Sequence, residues 1–243
     1  ARSDDEGRSW SMMGTLNDDR VLGEHGFVSL VPEGEHGVRA FWLDGREISG
    51  GGHSGEGGGD MQLRTTSIDT EVHPSELMDE RACECCGTDA TVFDGHPLVV
   101  YRDRDDLEVR DISIATLGYP STSINDDQWR IEGCPVNGPS IDSNETDVVV
   151  AWFTSPELGS KANIAFISAQ GIDDPILISN KTLGRVDVVM QGEGTAVACW
   201  LETCSTGTFV VTSRVYKNGT VEPFKQIQKV ASSHQAGFPR IAT

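Results

Sequence analysis

Large aromatic residues return at a nearly constant interval in this chain, and the interval limits the folds that the chain can adopt. Trp42, Tyr101, Trp152 and Trp200 are separated by 59, 51 and 48 residues. Each follows a strand-like run, a turn rich in Gly, Asp, Asn or Glu, and a second apolar run. Four short strands repeated about every fifty residues are typical of a β-propeller blade.

The stretches between these aromatics supply further strand-like runs. Third strands are predicted at 60–66, 107–115, 162–168 and 209–215, and most repeats add a fourth segment such as 175–179. A β-sandwich is the alternative, but it does not require an aromatic at the same place in every hairpin. We therefore predict an all-β chain that forms one β-propeller domain over residues 1–243.

A turn motif opens the chain. Ser3, Asp5, Gly7 and Trp10 match the pattern Ser-x-Asp-x-Gly-x-x-Trp at every specified position. The Asp is expected to cap turn amides, the Gly to adopt a conformation that other residues avoid, and the Trp to pack between blades. The motif resembles the Asp-box, or BNR repeat, of sialidase-like proteins, in which it is structural and contributes no chemistry.

Two cysteine-containing runs extend the resemblance. Cys83-Glu-Cys-Cys-Gly-Thr-Asp89 and Gly133-Cys-Pro-Val-Asn-Gly-Pro139 resemble motifs of a group of bacterial sialidase-like proteins, and the similarity covers nearly the whole chain. The resemblance implies a six-bladed propeller. Residues 1–20 would then end one blade, four whole blades would follow, and 237–243 would begin another, so the chain is expected to be truncated at both ends.

The polar residues of the repeats are predicted to meet at one end of the channel. In an antiparallel four-stranded blade, the start of the inner strand and the loop after the second strand lie on the same face. The candidate substrate-binding residues there are His25, Arg46, Arg102, Arg104, Asn137, Arg185, Asp187 and Arg240. Arginine pairs with planar anions, so an anionic carbohydrate or a small carboxylate is the expected ligand. The alternative is a structural network between arginines and acidic residues.

The resemblance implies a glycoside hydrolase that acts on an anionic sugar. The candidate catalytic carboxylates are Asp44, Asp89 and Glu202. Sialidases also use a tyrosine nucleophile, whereas Tyr101 suits a core aromatic and the Arg-Ile-Pro motif of sialidases is absent. His25 is interpreted as a buried histidine, with a base or ligand role as the alternative. A non-catalytic propeller that binds an anionic glycan or a protein partner is the second hypothesis.

Six cysteines admit a disulfide or a metal. The two cysteine runs begin adjacent blades, which favours a disulfide from Cys85 or Cys86 to Cys134. The alternative is a copper or zinc site formed by Cys83, Cys85, Cys86 and Cys134, because thiolates bind soft metals. Cys199 and Cys204 are close enough in sequence for a small disulfide. No other cofactor is expected, apart from the option of a structural calcium ion.

The charge balance excludes some functions. Nineteen basic and 38 acidic residues give a net charge of -19, which argues against binding to nucleic acids or anionic membranes and indicates a solvated acidic surface or a binder of several cations. No apolar run is long enough for a membrane span. The even cysteine count and three Asn-x-Thr sequons at Asn144, Asn180 and Asn218 favour a periplasmic or secreted protein.

Overall fold

The computed structural model describes residues 1–48, 60–157, 159–232 and 236–242, and strands make up the regular structure of this part. The first blade comprises β1 (His25–Glu33), β2 (Gly37–Asp44), β3 (Met61–Ile68) and β4 (Glu76–Ala82). The second blade comprises β5 (Asp89–Phe93), β6 (His96–Arg102), β7 (Ile112–Ala115) and β8 (Thr122–Ser123). The third blade comprises β9 (Ser140–Ser143), β10 (Val148–Thr154), β11 (Lys161–Ser168), β12 (Gly171–Ile172) and β13 (Ile176–Ser179). The fourth blade comprises β14 (Thr182–Gly192), β15 (Thr195–Cys204), β16 (Gly207–Tyr216) and β17 (Lys225–Val230).

Each blade is an antiparallel sheet in which the strands follow one another in chain order, except that β12 and β13 both pair with β11. The all-β prediction is confirmed, and the chain folds as a β-propeller with four blades in its described residues. No helix in that part of the chain is long and apolar enough to cross a membrane.

The repeating aromatics occupy equivalent positions in the four blades. Trp42, Tyr101, Trp152 and Trp200 lie on the second strands, and each is at most 1% exposed. These strands read as continuous apolar runs because strands flank them within the blade and other blades cover their faces. The spacing of the aromatics therefore reports the period of the blades, as predicted.

Apolar side chains fill the space between consecutive blades. One cluster joins the first and second blades, a second joins the second and third, and a third joins the third and fourth. The first strands β1, β5, β9 and β14 contact one another in chain order. This arrangement places the first strands around a common axis, so the residues on them line the centre of the propeller.

The turn at the start of the chain shows the expected capping contacts. Ser3 Oγ accepts a hydrogen bond from the Gly7 amide at 2.7 Å, and Asp5 Oδ1 accepts one from the Ser9 amide at 2.8 Å. Gly7 has a φ of 84°, a conformation that favours glycine. The expectation for Trp10 is wrong, because its side chain is 67% exposed and does not pack between blades. Its indole donates to the Gly7 carbonyl at 3.2 Å, so the ring lies against its own turn.

Candidate functional site

One face of the propeller, called the mouth below, carries the connections between blades. In the strand register, His25 lies opposite Asp44 and Thr182 lies opposite Glu202. The starts of the first strands therefore lie beside the ends of the second strands. The connections at 83–88 and 133–139 lead into β5 and β9 on the same face. The mouth is thus the face on which the sequence places the candidate residues.

Glycines allow successive connections to touch through their backbones. A Cβ on Gly138 would lie 2.1 Å from the Gly87 carbonyl oxygen, and one on Gly184 would lie 2.2 Å from Asn137 Oδ1. Asn137 Oδ1 accepts a hydrogen bond from the Arg185 amide at 2.7 Å. Asn137, a candidate binding residue, is therefore buried between connections, where it fixes the path of the chain into β14.

A disulfide joins two of these connections. Cys85 is bonded to Cys134 across a Cα–Cα distance of 5.9 Å, which confirms the predicted link between adjacent blades. Cys83 and Cys86 are free thiols in the same buried cluster. Hydrogen bonding from Cys86 lowers the pKa of the Cys83 thiol against the effect of its burial, and Arg110 lowers it further. Burial raises the pKa of Cys86.

The expected small disulfide between Cys199 and Cys204 is wrong. Both residues are free and both lie on β15. A strand rises about 3.3 Å per residue, so five residues place their Cα atoms roughly 16 Å apart, beyond the reach of a disulfide.

Arg102 is buried, and its guanidinium forms hydrogen bonds with backbone carbonyls. Its guanidinium donates to the Asn137 carbonyl at 2.8 Å, the Arg110 carbonyl at 2.6 Å and the Phe153 carbonyl at 2.7 Å. Its Cζ atom lies 4.8 Å from the centroid of the Trp129 ring. Arg102 therefore ties the second blade to the third.

Arg46 and Asp44 form a second internal network. Asp44 is fully buried and accepts hydrogen bonds from Arg46 Nε at 2.8 Å and Trp42 Nε1 at 2.8 Å. Burial by itself would raise the pKa of Asp44, but the hydrogen bonds from Arg46 and Trp42 outweigh it and lower the pKa. His25 Nδ1 lies 3.3 Å from Asp44 Oδ2, and its Nε2 lies 3.8 Å from Asp19 Oδ2.

Asp19, His25 and Asp44 bring three donor atoms within 4.8 Å of one another, a spacing that could hold a cation. Arg46 Nε lies 3.1 Å from Asp19 Oδ2, however, and already supplies a positive charge there. Arg46 therefore already occupies the position of a cation beside these carboxylates, and we assign no metal ion to this cluster.

Arg104 and Arg185 also have partners within the chain. Arg104 pairs with Glu108 at 2.7 Å and lies 3.6 Å from Glu84. Arg185 donates to the Gly237 carbonyl at 2.6 Å, and its Cζ atom lies 4.7 Å from the centroid of the Phe238 ring. These contacts agree with the structural alternative for the arginines.

Each repeating aromatic donates its polar hydrogen to a carboxylate. Trp42 pairs with Asp44, Tyr101 with Asp79, Trp152 with Asp127 and Trp200 with Glu202. Glu202 Oε2 also accepts from Ser179 Oγ at 2.5 Å. Asp44 and Glu202, two of the three candidate catalytic residues, are thus equivalent acceptors in different blades.

A different pair of carboxylates lines the axis. Asp89 on β5 and Asp187 on β14 lie on either side of Ser140 on β9, whose Oγ is 2.9 Å from Asp89 Oδ2 and 2.9 Å from Asp187 Oδ1. Arg240 Nη1 lies 2.9 Å from Asp187 Oδ1 and 4.0 Å from Asp89 Oδ2. The Arg240 side chain is 66% exposed, unlike the other candidate arginines.

Burial and hydrogen bonds act against each other at Asp89. Burial raises the pKa of Asp89, and hydrogen bonds from the Ile141 amide and Ser140 only partly offset it. One hydroxyl proton on Ser140 can serve only one of its two carboxylate neighbours.

Sequence reasoning missed Ser140, although its position carries a signal. In each blade, one residue of the first strand lies opposite the residue immediately before the repeating aromatic. These first-strand residues are Ser29, Asp89, Ser140 and Asp187. Aligning the four repeats on that aromatic would have shown alternating Ser and Asp around the axis.

The tyrosines do not supply a sialidase-like nucleophile at the mouth. Tyr101 is completely buried, as predicted for a core aromatic. Tyr216 donates a hydrogen bond to Glu222 at 2.8 Å. In the strand register, however, Tyr216 lies opposite Thr195 at the start of β15, which is on the face opposite the mouth. In the described part of the chain, the remaining tyrosine, Tyr119, follows β7, where third strands end on that opposite face too.

Comparisons with known proteins identify the fold. No protein-family description matches the chain, and no curated protein matches it. Among solved structures, the subtype N11 neuraminidase-like protein of A/flat-faced bat/Peru is similar, with a TM-score of 0.55 and 9% identity over 88% of this chain and 56% of that one. The neuraminidase-like protein from A/bat/Guatemala gives a TM-score of 0.51 and 13% identity over 83% of this chain and 54% of that one.

A third similar structure is an α-L-arabinofuranosidase from Podospora anserina, with a TM-score of 0.48 and 10% identity over 93% of this chain and 73% of that one. The chain spans just over half the length of the two neuraminidase-like proteins. At these identities the two neuraminidase-like structures show a β-propeller fold, while activity has to be argued from the site.

Proposed function

We propose that this propeller acts as a glycoside hydrolase on a carbohydrate bound at the mouth, with Asp89 as general acid and Asp187 as the second carboxylate. Glycosidases commonly use two carboxyl groups on either side of the scissile bond, one protonated and one ionised. Asp89 and Asp187 lie on first strands beside the propeller axis. The neuraminidase-like fold is a suitable scaffold for such a site.

The observation that carries this proposal is the Ser140 hydroxyl placed 2.9 Å from both carboxylates. It couples a carboxyl with a raised pKa to one that faces Arg240. Such a difference in environment separates an acid from its ionised partner. Asp89 would protonate the leaving oxygen, and Asp187 would act as nucleophile or as base toward water.

Arg240 is the group that we assign to an anionic substituent of the sugar. Its exposed guanidinium lies beside Asp187, where a bound carboxylate or sulfate could form a bidentate pair with it. We assign Arg46, Arg102, Arg104 and Arg185 to the scaffold of the mouth, because each of them has partners within the chain.

The test replaces each carboxylate of the pair by its amide. Asp89→Asn and Asp187→Asn are each expected to lower glycan hydrolysis about 100-fold or more, because acid–base catalysis contributes at least that factor. A panel of sialylated, uronic-acid-containing and neutral oligosaccharides identifies the substrate class. Arg240→Met separates acidic from neutral substrates, since it should weaken binding of the acidic ones alone.

Asp147→Asn is the matched control. Asp147 is a buried carboxylate that accepts from Lys217 Nζ at 2.6 Å at the start of β10, on the opposite face. This variant should keep wild-type activity after correction for the folded fraction. Wild-type activity in both Asp89→Asn and Asp187→Asn would rule the carboxylate pair out.

A non-catalytic carbohydrate-binding propeller is the second candidate. The pairing of most mouth arginines within the chain and the position of the Tyr216–Glu222 pair on the opposite face favour it. It predicts that the protein binds an anionic glycan or a protein partner without releasing product. Binding that Arg240→Met abolishes, with no hydrolysis by the wild type, would select this candidate.

We also propose that the protein is periplasmic or secreted. The Cys85–Cys134 disulfide supports this, because disulfides persist in oxidising compartments. Fractionation of the native host, followed by thiol labelling of the two cysteines, tests it. A protein recovered from the cytosol with Cys85 and Cys134 reduced would contradict the proposal.

A further inference from the structure

The connection between the first and second blades gathers sulfur atoms at one buried point. Cys83 Sγ lies 3.3 Å from Cys86 Sγ and 3.9 Å from Cys85 Sγ, and all three residues are buried. Cys85 is consumed by its disulfide with Cys134. One disulfide and two thiols therefore share one cluster, with the partly buried Val136 packed against it.

The two thiols face each other without a covalent bond. Their spacing, Cys-x-x-Cys, places both sulfurs on the inner side of a tight turn. Arg110 is 3% exposed and directs Nη1 to Cys83 Sγ at 3.2 Å. A buried guanidinium that donates to sulfur stabilises an anionic sulfur more than a neutral one, because charge-assisted hydrogen bonds are the stronger ones.

The charges around the cluster are otherwise balanced. Arg110 pairs with Glu84 at 3.0 Å and with Glu108 at 2.9 Å, and Arg104 lies near the same two carboxylates. The two glutamates are thus already engaged by arginines. Among the residues that the structure describes, thiolate sulfur is therefore the metal ligand that this cysteine cluster offers.

The number of donors separates copper from zinc. Structural zinc sites use four ligands, usually Cys or His. Only two thiols remain here once the disulfide has formed, and Cu(I) is stable with two thiolate ligands. Soft sulfur ligands also select Cu(I) over harder cations.

We propose that Cys83 and Cys86 bind one Cu(I) ion as a bis-thiolate. Both sulfurs bind as thiolates, so each thiol that is still protonated releases its proton, and the occupied site carries one negative charge. Arg110 lies against this charge. The Cys85–Cys134 disulfide stays intact and holds the two connections together around the site. This proposal is independent of the hydrolase function.

The test uses the folded protein with its disulfide intact. Cu(I), kept reduced by ascorbate, is titrated against a chromogenic chelator, and the bound copper is counted. We expect one Cu(I) per chain, a proton release that decreases as the pH rises, and an X-ray absorption spectrum with two sulfur neighbours. The C83S/C86S double variant should lose this binding at least 100-fold, and C199S/C204S should keep it.

Several results would overturn the proposal. Equal copper binding by the wild type and C83S/C86S is one, and stoichiometric Zn(II) binding with no Cu(I) binding is another. A wild type that takes up no copper while Cys83 and Cys86 oxidise to a second disulfide would also contradict it. If C83S/C86S does not fold, the sulfur count in the wild-type spectrum decides the question, since any number other than two contradicts the site.

Discussion

Two sets of charged residues meet at the mouth, and they differ in the exposure of their side chains and in the pKa direction of one carboxylate from each set. The closed set, Asp44, Glu202, Arg46 and Arg102, is largely buried and directs its polar atoms to partners within the chain. The open set, Asp89, Asp187 and Arg240, lies on the axis around one serine hydroxyl. Arg240 is mostly exposed and Asp89 is partly exposed, whereas Asp187 is buried and also accepts from the Ile241 amide at 2.6 Å. Residues of the same types on the same face thus serve packing in one set and, in the other, include a guanidinium that is exposed to solvent.

The pKa directions express the same difference. The pKa of Asp44 is lowered, since donors outweigh its burial, whereas burial raises the pKa of Asp89. An acid whose pKa is lowered on folding stabilises the fold when ionised, and one whose pKa is raised destabilises it. The comparison therefore predicts effects of opposite sign for the same chemical substitution.

The largest effect is expected for Arg102→Met in the closed set. The substitution keeps the apolar stem but leaves the Asn137, Arg110 and Phe153 carbonyls without their donor. Unsatisfied buried acceptors cost 1–3 kcal/mol each, so the free energy of unfolding should fall by about 4 kcal/mol. Urea denaturation measures it, and a loss below about 1 kcal/mol would show that water replaces the guanidinium.

The next effect is a loss of stability in Asp44→Asn. The amide cannot accept from Arg46 as a carboxylate does, so we expect a loss of about 2 kcal/mol at pH 7. The difference from the wild type should be full above the pKa of the unfolded carboxyl and should vanish as the pH falls through the lower folded pKa. Denaturation curves from pH 2 to pH 7 test this, and a pH-independent difference would contradict it.

A smaller effect of opposite sign is expected for Asp89→Asn. The wild type loses stability as the pH rises from the unfolded pKa of this carboxyl to its raised folded pKa, whereas the amide does not titrate. Asp89→Asn should therefore be more stable than the wild type at pH 7 and equally stable below the unfolded pKa. A variant less stable than the wild type at pH 7 would place Asp89 in the closed set.

The smallest effect is expected for Arg240→Met. Its ion pair with Asp187 joins a mostly exposed guanidinium to the protein, and exposed pairs contribute about 0.5 kcal/mol or less. Thermal unfolding should shift little, in contrast with Arg102→Met. A large drop would show that Arg240 is part of the scaffold and not available to a ligand.

The fold was largely readable in the sequence, and the site only in part. The spacing of Trp42, Tyr101, Trp152 and Trp200 follows the blade period because one buried position repeats in each blade. Two cysteine runs at the starts of adjacent blades predicted a disulfide to Cys134 from either Cys85 or Cys86, and the structure forms it from Cys85. Both inferences depend on local order along the chain.

The roles of the mouth arginines could not be predicted in the same way. Whether Arg102 meets a ligand or three backbone carbonyls depends on how the connections pack, and the sequence carries no direct signal for it. The sequence does not distinguish the two aspartates Asp44 and Asp89. In the fold they lie on different strands and accept hydrogen bonds from different donors. Ser140 was missed because a single serine shows its role only when the four blades are aligned.

The most direct test of this account is the pKa of Asp89 itself. Carbon-13 NMR titration of the labelled side chain, assigned with Asp89→Asn, measures it, and Asp44 serves as an internal control. The account predicts a pKa above the ordinary aspartate value for Asp89 and one below it for Asp44. An Asp89 pKa at or below the ordinary value would contradict its role as an acid at the mouth.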